Sequence, residues 1–453
     1  MRTLEAVVVC GPERGDPLRL VGGLTLLERL LRQLSALGID SITVVGGSDF
    51  QFPGGSARVT CPVRYQTSDC PDAWQMTQEA RPSGADRILV VAADLLVDQR
   101  LFERLADTEV NLLISPREDG AAEILGNLDA GGLQALAAGR RAVTVRPVES
   151  FETYVRHQRG NVPVHLMRIR SAADVERGWE LLFDHVEKRT KDLPATYFDP
   201  PLENFLVRVL APTSITPNQV TVVTGLVGFF VAWLFLHGWL LTGIVLAIFV
   251  EVLDGVDGKL ARIKRMTSKV GELEHVLDFF YENSWYLALG AYFASIGSTW
   301  AWAAAWAICA ADVADNLSYV YYARRVGGSA WRDYVPSLDD ANRFLRRFRL
   351  VAGRRNIYVW LMLPGFALGA PSLLFGAAVA WALITAATHW TVGHLVSRTR
   401  GPVRVPAQPA PVSLAVALAG TRRRPFPERY RRSDSSEPQY QPSDQSPRAA
   451  RGL

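Results

Sequence analysis

A chain that crowds six apolar stretches into two hundred residues has few folds open to it. They run over 220–237, 240–253, 285–296, 300–321, 357–370 and 372–396. In lipid every backbone N–H and C=O must be satisfied within the protein, and a bundle of helices does this segment by segment. A span takes about 20 residues, so the second and third stretches are short. Each extends through a neighbouring acidic segment, which puts those acids at the membrane boundary. The connection between stretches two and three holds Arg262, Lys264, Arg265 and Lys269, and the one between four and five is rich in arginine. The opposite turns, near His237, 297–299 and 369–371, have neither Lys nor Arg. Positive charge marks the cytosolic side. The expected topology is therefore six spans with both chain ends in the cytosol, in the cell (inner) membrane.

The first part of the chain reads differently. Short β-branched runs at 7–9, 42–45 and 88–91 alternate with helical patterns, and 26–37 carries a leucine stripe of helical period. This alternation predicts an α/β domain with a parallel sheet covered on both faces. Asp94 follows the third run, at the strand end where such sheets bind ligands. It is either a metal or nucleotide ligand there or the start of a turn or helix cap. No secretory leader is visible, so this domain is expected in the cytosol. The four cysteines include no CxxC pair, so no zinc or redox motif is suggested. Cys61 and Cys70 are two cytosolic thiols, or a disulfide in an oxidising compartment.

Between the halves, 172–209 reads as helix, proline-containing turn and helix. Thr216 and Pro217 read as the cap and first turn of the first span. The stretch 341–355 interleaves apolar residues with arginines and reads as an amphipathic helix on an anionic membrane surface. From 399 the chain is rich in Pro, Ser, Arg and Gln and reads as a disordered basic tail. The domains are thus 1–171, a helical connector 172–211, a six-helix membrane domain 212–398 and a tail 399–453. Partners are membrane lipids, and no nucleic acid is expected.

Chemistry concentrates between Asp254 and Asp278. Asp254 and Asp257 lie three apart on one helical face, and Glu274 and Asp278 four apart on another. A short loop lets two antiparallel helices aim all four carboxylates at one another. Such a group stays charged only with cations between its members. Oxygen-only ligands suit Mg²⁺ or Mn²⁺. Gly258 and Ala261 leave a flat helix face for a nucleotide, Arg262 faces phosphate charge, and Gly271 permits close helix approach. Lys259, Lys264, Arg265 and Lys269 are further candidates for a basic pocket, although positive-inside charge explains them equally.

This constellation resembles the CDP-alcohol phosphotransferase family. Its signature is Asp-x-x-Asp-Gly-x-x-Ala-Arg, eight residues, Gly, three residues, Asp, three residues, Asp. Asp254, Asp257, Gly258, Ala261, Arg262 and Gly271 match. Strict counting from Gly271 then reaches His275 and Phe279; sliding by one residue gives Glu274 and Asp278. The resemblance implies a metal-dependent enzyme that moves the phosphoryl-alcohol group of a CDP-alcohol to an acceptor alcohol and releases CMP. It implies Asp254, Asp257, Glu274 and Asp278 as metal ligands, Asp278 also as general base, and a possible homodimer.

The first domain is similar to sugar nucleotidyltransferases in its Ala6–Gly11 strand and turn, in 22–29 and in 38–45. Its loop, Gly11-Pro-Glu-Arg-Gly15, has no following Lys before Lys188. The two-domain order resembles bifunctional enzymes that make and then use CDP-inositol. Two further readings stand beside the transferase: a bifunctional enzyme that also makes its CDP-alcohol, and a non-catalytic membrane scaffold.

Overall fold

The computed structural model describes residues 4–11, 15–52, 58–82, 84–117, 123–140, 143–155, 160–188, 191–266, 271–325, 338 and 343–399. The side chains of 271–275 are not among them. The expected tail, 399–453, lies outside the described residues but for Thr399 in the last helix.

The N-terminal part is built on seven strands: β1 Leu4–Cys10, β2 Ile42–Gly46, β3 Val63–Thr67, β4 Arg87–Ala92, β5 Leu112–Ser115, β6 Leu125–Asp129 and β7 Thr144–Pro147. Their order across the sheet is β7-β5-β6-β4-β1-β2-β3. The apolar runs that predicted strands occupy the centre, where Val8 sits opposite both Val44 and Val91. These residues are wholly buried, as β-branched runs in a two-sided sheet must be. The sheet is mainly parallel, as expected, with one exception. β6 runs antiparallel to both β4 and β5. Its sequence, Leu-Gly-Asn-Leu-Asp, has no β-branched residue to mark it as a strand.

Helix α1, Leu26–Ala36, is capped by Thr25, which accepts from the Glu28 amide, and buries its leucine stripe. The connector is α2 Ala172–Val186, a short helix Leu193–Tyr197 and α3 Asp199–Leu210. All four cysteines are free thiols.

Six long helices follow: α4 Pro217–Leu236, α5 Leu240–Ile263, α6 Gly271–Ser295, α7 Ala301–Arg325, α8 Arg355–Ala367 and α9 Pro371–Thr399. Thr216 caps α4 in a capping box with Gln219, with Pro217 at the first position. The helices pack in a closed ring, α4-α5-α8-α9-α7-α6 and back to α4. Tyr281, Trp285, Tyr286, Phe235, Phe293 and Phe375 fill its core. Gly228 makes this possible: a Cβ there would lie 2.7 Å from the Tyr281 ring, and its carbonyl accepts from Trp285 Nε1 at 2.6 Å. Two helices, Pro217–Leu236 and Pro371–Arg398, are long and apolar enough to cross a membrane. Of the other four, α8 has only 13 residues, and α5, α6 and α7 carry carboxylates among their apolar residues. Among the described residues of the amphipathic stretch expected over 341–355, Arg343–Phe348 is helical, and Arg355 already belongs to α8.

A third apolar core joins the two parts. Val21, Leu26, Leu96 and Ile169 from the first pack with Leu182 and Phe183 of α2 and with Val252, Val256, Leu260 and Ile263 of α5. Gly22, at φ +64°, lets the chain reach Ile263. Arg29 Nη1 donates to Ile263 O at 3.0 Å, and Arg32 Nη1 to Lys264 O at 2.7 Å. The last carbonyls of a helix have no partner within it, and here two arginines of another domain supply the donors.

Candidate active site

The candidate site lies between α5 and α6, which both pack on α4, and beside the first turn of α8. Asp254 and Asp257 stand one turn apart on α5, and Asp278 faces them from α6. Asp254 and Asp278 are among the charged neighbours of Asp257. Asp257 is buried, and its Oδ2 accepts from Thr221 Oγ1 of α4 at 2.6 Å. Its Oδ1 is buried and accepts no hydrogen bond among the described residues. Stranding a buried acceptor costs about 1–3 kcal/mol, more when it is charged. A buried carboxylate oxygen without a partner, with two further carboxylates as charged neighbours, offers oxygen ligands of the kind a hard divalent cation takes.

The shifted register suits this arrangement. Phe279, where strict counting lands, is partly exposed and packs edge-on against Phe280, whereas Asp278 faces the α5 acids. The side chains of Gly271, Glu274 and His275 lie outside the described residues, and so do residues 267–270. Gly271 opens α6. Beside Gly258 a Cβ would lie 3.2 Å from Arg262 Nη1, so the guanidinium leans over the small-residue face. Ala261 lies on the same helix, three residues further on.

The basic residues need a correction. Lys259 is buried and pairs with Glu203 at 2.7 Å and Glu187 at 2.6 Å. Lys264 Nζ donates to the carbonyls of Thr213 and Ile215 at 2.7 and 3.0 Å. Arg265 donates to Gln99 at 2.8 Å. These three hold the connector, the loop before α4 and the first domain against α5, and Lys269 lies outside the described residues. A buried cation already paired this way is not offered to a substrate.

Arg355 is the residue that sequence reasoning missed as an individual. It sits at the first turn of α8 and bridges both acidic helices. Its Nη2 donates to Asp254 Oδ2 at 2.9 Å, its Nη1 pairs with Glu282 at 2.7 Å, and it contacts the Tyr281 hydroxyl. In sequence it was one arginine among nine in a basic connection. Glu251, one turn before Asp254, is also buried, and neither carboxylate oxygen has a partner among the described residues.

In the first domain, Asp94 is fully buried. Its Oδ2 accepts from the Gly15 amide at 3.0 Å and pairs with Arg168 at 3.2 Å. Arg168 also pairs with Glu123.

Residues 214–390 match the CDP-alcohol phosphatidyltransferase family. The chain is 33% identical over 156 residues to the "Bifunctional IPC transferase and DIPP synthase" of Thermococcus kodakarensis, covering 34% of this chain and 33% of that one. It is 29% identical over 189 residues to the protein of the same name in Aquifex aeolicus, 42% of this chain and 40% of the other. It is 37% identical over 81 residues to the "Inner membrane protein YnjF" of Escherichia coli, 18% and 39% of the two chains. The chain thus spans between about a third and two-fifths of the length of these relatives. Among solved structures, 4-diphosphocytidyl-2C-methyl-D-erythritol synthase from Anaerococcus prevotii aligns with TM-score 0.27 and 12% identity, over 39% of this chain and 96% of that one.

Proposed function

We propose that this chain, whose residues 214–390 carry a CDP-alcohol phosphatidyltransferase domain, is a membrane transferase that moves a phosphoryl-alcohol group from a CDP-alcohol to an inositol-like or lipid acceptor. The observation that carries this reading is the partnerless Asp257 Oδ1, buried where Asp254 and Asp278 are its charged neighbours. Asp254, Asp257, Glu274 and Asp278 would hold Mg²⁺ or Mn²⁺, which supplies charge neutralisation at the diphosphate and Lewis acidity at phosphorus. The chain's own residues do the rest. Gly258 and Ala261 leave room for the cytidine, and Arg262 meets phosphate charge. Gly271 lets α6 come close. Thr221 fixes the Asp257 carboxylate, and Arg355 holds Asp254 while linking α5, α6 and α8. Asp278 takes the proton of the acceptor hydroxyl as its oxygen bonds to phosphorus. The phosphorus–oxygen bond to CMP breaks, and CMP leaves.

The six helices would span the inner membrane with both chain ends cytosolic. Ionisable residues inside a bundle lower its mean hydropathy without exposing charge to lipid, because such residues face the interior. Outward-facing Leu226, Phe229 and Phe230 of α4 and Leu373, Leu383 and Leu395 of α9 fit a lipid boundary. The first domain serves in this reading as the clamp on α5. With Asp94 held by Arg168 and Gly15, nucleotidyl transfer there is not part of the proposal.

The test is CMP release by the purified full-length protein from a panel of CDP-alcohols, with and without Mn²⁺. Release should require the ion, and Asp278→Asn should lower it roughly 10²- to 10⁴-fold. Unchanged release in that variant would remove Asp278 as the base. No release from any donor would leave the scaffold reading.

A further inference from the structure

A second constellation lies outside the transferase site, in the first domain. Asp98 precedes the helix Gln99–Ala106 as its cap, His165 precedes the strand Leu166–Arg168, and His185 lies in the last turn of α2. One ligand atom from each falls within 4.8 Å of the others. His165 Nδ1 is 3.6 Å and His185 Nε2 3.4 Å from Asp98 Oδ2. Both exceed a good hydrogen bond to a carboxylate. They are close to the edge of a tetrahedron about an ion bound at about 2.0–2.2 Å, which is roughly 3.3–3.6 Å. The rings meet edge to face, with centroids 4.7 Å apart.

We propose that Asp98, His165 and His185 form a zinc-class metal site that fastens the connector helix α2 to the first domain. The carboxylate is oriented as ligating carboxylates are. Arg100 donates to Oδ1 from Nε at 3.1 Å and to Oδ2 from Nη2 at 2.7 Å, and the Arg100 amide reaches Oδ1 at 2.9 Å. The Asp98 amide in turn donates to His165 O at 3.0 Å, which fixes two ligands to one another. Ligand chemistry selects the ion. Two imidazoles and one carboxylate suit Zn²⁺ or its neighbours and not Mg²⁺, which seeks oxygen. Arg100 and Arg29 are near enough to act on the cluster electrostatically. They oppose an ion held by charge alone, so binding must come from the nitrogen bonds. His165 and Asp98 are buried, and His185 is 23% exposed, so a fourth ligand would enter beside His185.

The placement gives the site a role. Two residues beyond His185, Glu187 pairs with Lys259 on α5, next to Gly258. An ion at this cluster would pin the end of α2 and, through Glu187, steady the helix that carries Asp254 and Asp257.

The full-length protein in detergent, stripped with chelator and titrated with Co²⁺, should bind one ion whose visible ligand-field bands are those of tetrahedral nitrogen and oxygen ligation. Zn²⁺ should displace it. His185→Gln should abolish the bands, and His185→Cys should restore them with added thiolate character. Asp254→Asn should leave them unchanged, which separates this site from the transferase one. Absence of tetrahedral bands in the wild type, or their persistence in His185→Gln, overturns the proposal.

Discussion

Thr221 and Asp257 show how much of the site hangs on single atoms. The Thr221 hydroxyl is the one side-chain donor recorded on Asp257 among the described residues. Thr221→Val keeps the shape and removes it. The partners of ligating carboxylates are worth 10–100-fold, so this variant should slow CMP release by about that factor and raise the Mn²⁺ needed for half-maximal rate. Cys10 offers a residue-scale check on the first domain. Burial, with the charge of Asp94 adding, pushes its thiol up to about 12. The thiolate is the reactive form, so at about pH 8 a thiol reagent should leave Cys10 unmodified in the native protein and label it after denaturation. Labelling should begin only as the pH approaches that raised value. Asp254, Asp257 and Asp278 stand out as candidates in the sequence because acids at the edge of apolar runs are costly unless used. Arg355 was not, because positive-inside charge accounts for arginines on that side whether or not any of them enters a site.

The elements were readable wherever one period dominated. Apolar runs too short to span pointed to helices continuing through the acids, and α5 and α6 do so, over Leu240–Ile263 and Gly271–Ser295. The connector helices and the Thr216–Pro217 start of α4 followed from charge pattern and cap chemistry. β6 escaped because a strand of Leu, Gly, Asn and Asp owes its state to its neighbours. Packing between α4 and α6 was equally hidden, since it depends on which glycine faces which ring. Two substitutions separate propensity from packing. A Cβ at Gly225 meets nothing within 4 Å, while one at Gly228 strikes Tyr281 at 2.7 Å. Gly225→Ala should leave thermal stability in detergent and CMP release near wild type. Gly228→Val should lower both, at a cost of about 1–3 kcal/mol for forcing bulk into a packed core. Equal behaviour of the two would mean that α4 and α6 do not meet there.

At the scale of the molecule, the two halves act as one object. The end of α5 is held by Arg29 and Arg32, by Lys259 through Glu187 and Glu203, and by the shared apolar core around Val256 and Leu260. No sequence pattern announces such an arrangement, because Arg29 and Arg32 lie more than two hundred residues from the carbonyls they reach. Arg29 donates to Ile263 O and, at 2.8 Å, to Val21 O. Arg29→Ala strands these buried carbonyls, with a penalty of about 1–3 kcal/mol each before relaxation. Thermal unfolding should shift downward, and CMP release should fall although no catalytic group was touched. An unchanged unfolding curve would show the first domain to be a passenger.

These scales meet at the ion that Asp254, Asp257, Glu274 and Asp278 are proposed to hold. The most direct measurement is the anomalous scattering of Mn²⁺ in crystals of the full-length protein grown with a CDP-alcohol. The account predicts a peak about 2.0–2.2 Å from carboxylate oxygens of Asp254, Asp257, Glu274 and Asp278, with the diphosphate on its open side. Nucleotide bound elsewhere, or an empty space between α5 and α6 at saturating Mn²⁺, would contradict it.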